Sequence, residues 1–212
     1  MTRNRDSGQA LPIYITVVAS LLFLALAFLV VGQAGAARNG AQSAADAAAL
    51  AAAQNARDQL RGGLINSLLE PGNWKDLIEG RKFGTYSACL DAGRFAAQNK
   101  SEVVPGGCER LTGWRNGFTV KVKTQQPLGK TVIPGTESKH MTAEATAVIE
   151  PKCTFKPDEG DDSPEPPPGE GDEDEEPKQL KLKCDGRDWS IDPENFDFFP
   201  DAADLFSVRL SN

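Results

Sequence analysis

The N-terminal part of the chain contains 22 consecutive uncharged residues, Ala10 to Val31, and most of them are apolar. At about 1.5 Å of rise per residue, a helix of this length crosses a hydrocarbon core roughly 30 Å thick. Pro12 falls in the first turn, where a missing backbone N–H costs little, so it indicates a helix start. The sequence therefore predicts a transmembrane helix over residues 8–34.

An alanine-rich stretch follows the apolar run without a proline or a turn cluster between them. Alanine, the strongest helix former, occupies 10 of the 16 positions from Ala41 to Ala56. We therefore expect the helix to continue outward over residues 35–61 and to stop near Arg61, where two glycines follow. Glu70-Pro71-Gly72 is a stronger break.

The charges that flank the apolar run predict its orientation. Arg3 and Arg5 lie directly before it, and the first basic residue on the far side is Arg38. Positive residues at the short end place residues 1–7 in the cytoplasm and the long C-terminal part outside the cell membrane. A cleaved signal peptide is the alternative, because small residues follow Val31, although signal peptides have apolar regions of only about 7–15 residues.

Small residues recur every four positions along one face of the predicted helix. This small-residue row comprises Gly32, Ala36, Gly40, Ala44 and Ala48. Small side chains at this spacing allow another helix to approach closely, so the row is a candidate helix-packing surface. Alanine richness alone also produces such rows by chance, and that interpretation stays open.

Four cysteines, Cys89, Cys108, Cys153 and Cys184, are widely spaced and form no CxxC pair. This spacing disfavours a metal knuckle or a redox motif, and it suits two disulfides in an oxidising compartment. Buried free thiols are the alternative. Four cysteines allow three pairings. We favour Cys89–Cys108 and Cys153–Cys184, because each closes a loop with little other apolar content.

Residues 62–156 mix helical and period-two patterns, which predicts an α+β extracytoplasmic domain. Short helices are expected at Trp74–Ile78 and at Thr85–Lys100, where Tyr86, Cys89, Leu90, Phe95 and Ala96 have helical spacing. Pro105-Gly106-Gly107 predicts a turn. Apolar residues then alternate with polar ones from Phe118 to Val122 and from Met141 to Ile149, as in two half-buried antiparallel strands. The alanines of the second strand would let the long helix lie against this small antiparallel sheet.

The segment from Pro157 to Pro177 contains eleven acidic residues, six prolines and no basic residue, so we expect a disordered acidic linker. Without these eleven residues the net charge of −7 becomes +4. A calcium site in its GDEDEE run is a weaker alternative, because the spacing of a calcium loop is missing. Residues 178–212 alternate around Leu182 and Val208 and are rich in aromatics, including Phe196, Phe198 and Phe199. We expect two edge strands with core-filling aromatics, or else a partner-binding patch.

Catalytic and cofactor-binding patterns are absent from the sequence. His140 is the only histidine, and the chain lacks a GxSxG motif, a P-loop and a GxGxxG turn. No dense basic patch indicates nucleic acid. We therefore expect a non-enzymatic protein with no catalytic residues, no metal, no cofactor and no small-molecule substrate.

The segments SGQALPIYITVV, VGQAGAARNGAQSAADAAALAAA and TAEATAVIEP resemble the TadE/TadG-like proteins of the tight-adherence (Flp-type) pilus assembly apparatus, in the actinobacterial form. The resemblance is strongest over the first 55 residues. It implies a single-span, pilin-like membrane protein that acts in pilus assembly or secretion and contacts the lipid bilayer and other subunits of the machine. The alternative is a secreted or cell-surface binding module with a cleaved N-terminal signal.

One position departs from the Flp-type pilins that the resemblance brings in. Those pilins are processed after a glycine that is followed, at the fifth position, by glutamate and then tyrosine. Here Gly8 is the possible processing glycine, but Ile13 and Tyr14 stand at those two positions. This departure from the pattern argues against an ordinary processed major pilin.

Overall fold

The computed structural model describes residues 10–67, 74–128, 135, 137–155, 180–191 and 199–211. Predictions for Gly8, the cytoplasmic N-terminus 1–7, the acidic linker 157–177, and Phe196 and Phe198 lie outside these residues. The longest element is α1, Ala10–Ser67, a continuous helix of 58 residues and about 87 Å.

The expected end of this helix at Arg61 was wrong, because α1 continues through both glycines to Ser67. Tertiary packing explains the difference. Leu60 and Leu64, one turn apart on either side of the glycines, are fully buried, and a Cβ on Gly63 would come within 2.7 Å of the Leu77 side chain. This burial offsets the loss of about 1 kcal/mol that each helical glycine causes.

Three shorter helices and seven strands complete the fold of the described residues. The helices are α2 (Trp74–Ile78), α3 (Thr85–Gln98) and α4 (Ala202–Leu205). The strands are β1 (Ser101–Arg110), β2 (Asn116–Thr124), β3 (Thr142–Pro151), β4 (Cys153–Phe155), β5 (Leu180–Cys184), β6 (Arg187–Ile191) and β7 (Phe206–Ser211). The expected α+β class is confirmed: a long helix packs on a four-stranded antiparallel sheet with the order β1-β2-β3-β7.

The central strands β2 and β3 pair as the alternating pattern predicted. Val120 lies opposite Ala145 and Phe118 opposite Ala147, and all four side chains are buried. On the opposite face of the sheet, Thr119 and Thr146 hydrogen-bond to each other at 2.9 Å between hydroxyl oxygens. Alternation therefore separates a face toward α1 from a solvated face.

The turn expected at Pro105-Gly106-Gly107 was wrong, because these residues lie within strand β1. The pairing of β1 with β2 changes register between Val103 and Cys108. An edge strand tolerates a proline and a bulge because only one side of its backbone is needed for pairing. The local turn residues therefore form a bulge in a continuous strand.

The C-terminal residues add to two sheets. Strand β7 pairs with β3, from Phe206 opposite Pro151 to Ser211 opposite Thr146. Strands β4, β5 and β6 form a separate small sheet, in which Cys153 lies opposite Cys184. The expected strands around Leu182 and Val208 are thus present, and Phe199 is buried in the core. Strand β7 is an edge strand as expected, but the edge position expected for β5 was wrong, because β5 pairs with β4 on one side and with β6 on the other.

Candidate helix interface

The apolar first half of α1 is uncovered. Leu11, Phe23 and Phe28 are 69%, 72% and 80% exposed, and the most apolar window of the helix has no residue buried by the rest of the described chain. By length and composition this helix is able to cross a membrane. Its apolar side chains are therefore open to contact with lipid or with other helices.

The small-residue row divides into two parts with different surroundings. A Cβ added to Gly32 or Gly40 would meet nothing within 4 Å, and Ala36 is exposed. Ala44 and Ala48 are fully buried in the core. The C-terminal part of the row, Ala44 and Ala48, therefore packs within the chain. The N-terminal part, Gly32, Ala36 and Gly40, is open.

Helix α3 supplies the surface against which the alanine half of α1 packs. Its buried residues are Ala88, Ala92 and Ala96, which recur every four positions and join the alanines of α1 in one core cluster. Of the residues whose spacing indicated this helix, Ala96 is fully buried, whereas Tyr86 and Leu90 are 79% and 57% exposed. Two alanine-lined helices approach so closely that larger side chains do not fit between them.

A polar network at one end of this contact sets the alignment of α3 on α1. Asn55 Nδ2 donates to Asp91 Oδ2 at 2.8 Å, and Gln59 Nε2 donates to Asn55 Oδ1 at 2.8 Å. The Gln59 amide also bonds both backbone groups of Gly84. The sequence analysis missed both this network and the α3 contact, although the four-residue spacing of Ala88, Ala92 and Ala96 was a signal for the contact.

Both disulfides of the structure have the pairing that we favoured. Cys89–Cys108 has a Cα–Cα distance of 5.8 Å and connects α3 to β1. Cys153–Cys184 connects β4 to β5. The first therefore holds the helix layer against the sheet, and the second closes the small sheet.

The described residues contain no group of three or more His, Cys, Asp or Glu placed to hold a metal ion. His140 is exposed, and its Nδ1 lies 2.6 Å from the Thr124 carbonyl oxygen. On the sheet, the hydrogen bond from Arg209 lowers the pKa of the Glu150 carboxyl, and the charge of Arg115 adds to this effect. The His140 contact is therefore a loop contact, and the Glu150–Arg209 contact is a surface ion pair.

Residues 8–55 match the sequence profile of the family described as Flp pilus-assembly TadE/G-like. The N-terminal helix of this chain is therefore similar to that of TadE/G-like proteins. The match does not test the actinobacterial form. No curated protein and no solved structure matches the chain.

The segment that matches the family covers two structurally different parts of α1. Of the described residues in the match, those from Ala10 to Gly40 include the uncovered apolar half, and those from Ala41 to Asn55 include the buried alanines. The match ends within the contact with α3. The sheet and the two disulfides lie beyond the matched segment.

Proposed function

We propose that this protein is a single-pass, membrane-anchored, pilin-like structural or assembly component of an Flp-type pilus or a related secretion machine, with no enzymatic activity. The observation that carries this proposal is the division of one continuous helix. Its first half is apolar and uncovered, whereas its second half is the centre of a folded domain. Such a helix couples a position in the bilayer rigidly to a domain outside it.

The proposed orientation puts the N-terminus in the cytoplasm and the domain outside. Arg3 and Arg5 support it through the charge bias of cytoplasmic ends. The two disulfides support it as well, because disulfides persist in oxidising compartments outside the cytoplasm.

We assign the contact with other pilus or secretion subunits to the open part of the small-residue row, Gly32, Ala36 and Gly40. These residues lie just beyond Val31, the last residue of the apolar run, and no contact within the described chain uses them. Close helix approach in or near a bilayer depends on such residues, because packing is the main attraction available there.

Site-specific crosslinking in the native membrane tests this assignment. We expect Gly32→Leu and Gly40→Leu to lower crosslinking of α1 to partner subunits, because leucine separates the helix backbones. The matched control is Ala34→Leu on the opposite side of the helix, which should leave crosslinking unchanged. All three variants should remain in the membrane fraction. Equal crosslinking in the two glycine variants and the native protein would refute the assignment.

A secreted binding module is the second candidate. The position at which the buried part of α1 begins supports this candidate. The buried part of α1 begins at Ala41, so cleavage near Ala36 would leave the whole domain intact. The mass of the mature protein distinguishes the two candidates. We expect an intact N-terminus in the membrane fraction; a mature chain that begins near Ala36 would instead establish secretion.

A further inference from the structure

Among the residues that the structure describes, Trp114 is the most exposed large apolar side chain of the folded domain. It lies in the loop between β1 and β2, and 86% of its surface is accessible. The Arg115 guanidinium covers one ring face, with 4.6 Å between the guanidinium carbon and the ring centroid. At this exposure the opposite face of the indole is open to solvent. Trp114 therefore contributes little to the core of the domain.

A groove of about 440 Å³ lies beside the indole. Its polar lining residues are Glu79, Arg81, Arg115, Asn116 and Glu150, and Trp114 forms part of the wall. Small-molecule sites have volumes of about 300–1,000 Å³ and combine an apolar wall with a few polar groups. The groove thus has the size and composition of a site for one or two rings of a ligand.

Three of the four charged side chains that line the groove form ion pairs within the chain, and the charge of the fourth, Arg115, lowers the pKa of the Glu150 carboxyl. Arg81 pairs with Asp76, at 2.7 Å between Nη2 and Oδ1, and also with Glu79. Glu150 pairs with Arg209. Because an ionic ligand would have to compete with these pairs, the groove favours a neutral one. A carboxylate that accepts hydrogen bonds from one guanidinium keeps further acceptor lone pairs, so Glu150 suits a ligand with many hydroxyl groups.

The groove lies near the far end of α1. Asn116 donates to the Glu79 carbonyl oxygen at 2.8 Å, and the neighbouring Gly80 lies against the side chain of Leu60. Leu60 is 29 residues beyond Val31, the end of the apolar run, which is about 44 Å along the helix. The ligand is therefore not a lipid headgroup at the base of the domain.

We propose that this groove, the Trp114 groove, binds a neutral glycan chain. The electron-rich face of the indole attracts the positively polarised C–H groups of a hexopyranose ring. Asn116, Arg115 and Glu150 hydrogen-bond the hydroxyl groups at the ring edge. The inference is independent of the pilus function, because the groove belongs to the sheet and its loops and lies apart from the small-residue row.

Titration of the full-length protein in detergent with neutral oligosaccharides tests the proposal. The probes are linear hexamers of β-1,4-linked glucose and of β-1,4-linked N-acetylglucosamine, followed by calorimetry and tryptophan fluorescence. We expect saturable binding of at least one probe and a loss of about tenfold or more in affinity for Trp114→Ala, which corresponds to about 1.4 kcal/mol. The matched control is Tyr86→Ala, which removes an equally exposed aromatic ring outside the groove.

Three outcomes would overturn the proposal: no saturable binding of either hexamer, equal affinity in Trp114→Ala and the native protein, or an equal loss in Tyr86→Ala. If neither hexamer binds and Trp114→Ala instead removes a protein crosslink, the groove is a protein contact and the glycan proposal is wrong. The thermal unfolding midpoint of Trp114→Ala should match that of the native protein, because its side chain is almost entirely in solvent. Asn116→Ala provides a second groove variant with the same expected loss of binding.

Discussion

Individual residues decide how closely the central strands approach each other, and Gly117 is the clearest case. It lies at the start of β2 with a φ of +151°, and a Cβ at this position would come 2.1 Å from the Ala147 carbonyl oxygen. Glycine is the only residue that fits such a contact without a shift of the backbone. The pairing that brings Phe118 opposite Ala147 depends on it.

Gly117→Ala should therefore lower the free energy of unfolding by about 2–3 kcal/mol. Urea unfolding followed by circular dichroism measures the change. Gly93→Ala is the matched control, because Gly93 lies in α3 and a Cβ there would meet nothing within 4 Å. We expect that control to leave stability unchanged or to raise it by about 0.4–1 kcal/mol. Equal stability of Gly117→Ala and the native protein would contradict the close approach.

The Glu150–Arg209 pair predicts a pH dependence. Hydrogen bonding by Arg209 lowers the pKa of Glu150 in the folded state, so the pair stabilises the protein above the unfolded-state pKa of about 4.3. This contribution is lost as the pH falls through the lower folded-state pKa. Glu150→Gln should be less stable than the native protein in urea at pH 7, and the difference should be smaller at pH 3. A difference of the same size at both pH values would argue against the pair as its source.

At the scale of elements, the structure depends on the contact between α1 and α3. The alanines of both helices form its apolar part, and Gln59, Asn55 and Asp91 form its polar part. The apolar part allows close approach, but alanines at regular spacing do not distinguish one alignment from another. The polar network does distinguish them, because a shift along the helix would leave its partly buried groups without partners.

Ala92→Leu should cost about 1–3 kcal/mol of stability, because the fully buried Ala92 has no space for a larger side chain. Ala97→Leu is the control, since Ala97 lies on the exposed side of the same helix. The two variants add the same atoms to α3, so their difference in urea midpoint measures the packing alone. Tolerance of leucine at both positions would show that the helices are not in close contact.

At the scale of the whole molecule, the small-residue row of α1 has two different surroundings. Gly32 and Gly40 are open, whereas Ala44 and Ala48 are fully buried. The change occurs within one helical turn, between Gly40 and Ala44. The same type of substitution should therefore act on association at one end of the row and on folding at the other.

Ala48→Leu should lower the unfolding free energy by about 1–3 kcal/mol, and Gly32→Leu should leave it within about 0.5 kcal/mol of the native value. Thermal unfolding of the full chain in detergent measures both. The partner crosslinking described above should show the reverse order, with the larger loss for Gly32→Leu. Parallel effects of the two substitutions in both assays would mean that the row acts as a single surface.

The sequence by itself determined the features that depend on local composition and short periods. The 22 uncharged residues are apolar enough to cross a membrane, and the alanine-rich stretch has a high helix propensity. The alternation in β2 and β3 indicates strands with one buried face, and the spacing of the cysteines allows them to pair. For that reason the long helix, the antiparallel pair and the cysteine pairing agree with the structure. The membrane orientation and the absence of catalysis remain predictions.

Only the tertiary structure decided what depends on contacts between distant residues. Leu60 and Leu64 carry α1 past two glycines because they reach a core built from other elements. Pairing with β2 turns Pro105-Gly106-Gly107 into a bulge within β1, and the alanine surface of α1 selects the small face of α3 rather than the face with Tyr86. In each case long-range packing outweighs local propensity by a few kcal/mol, and the small-residue row divides at Ala41 because the domain's core begins there.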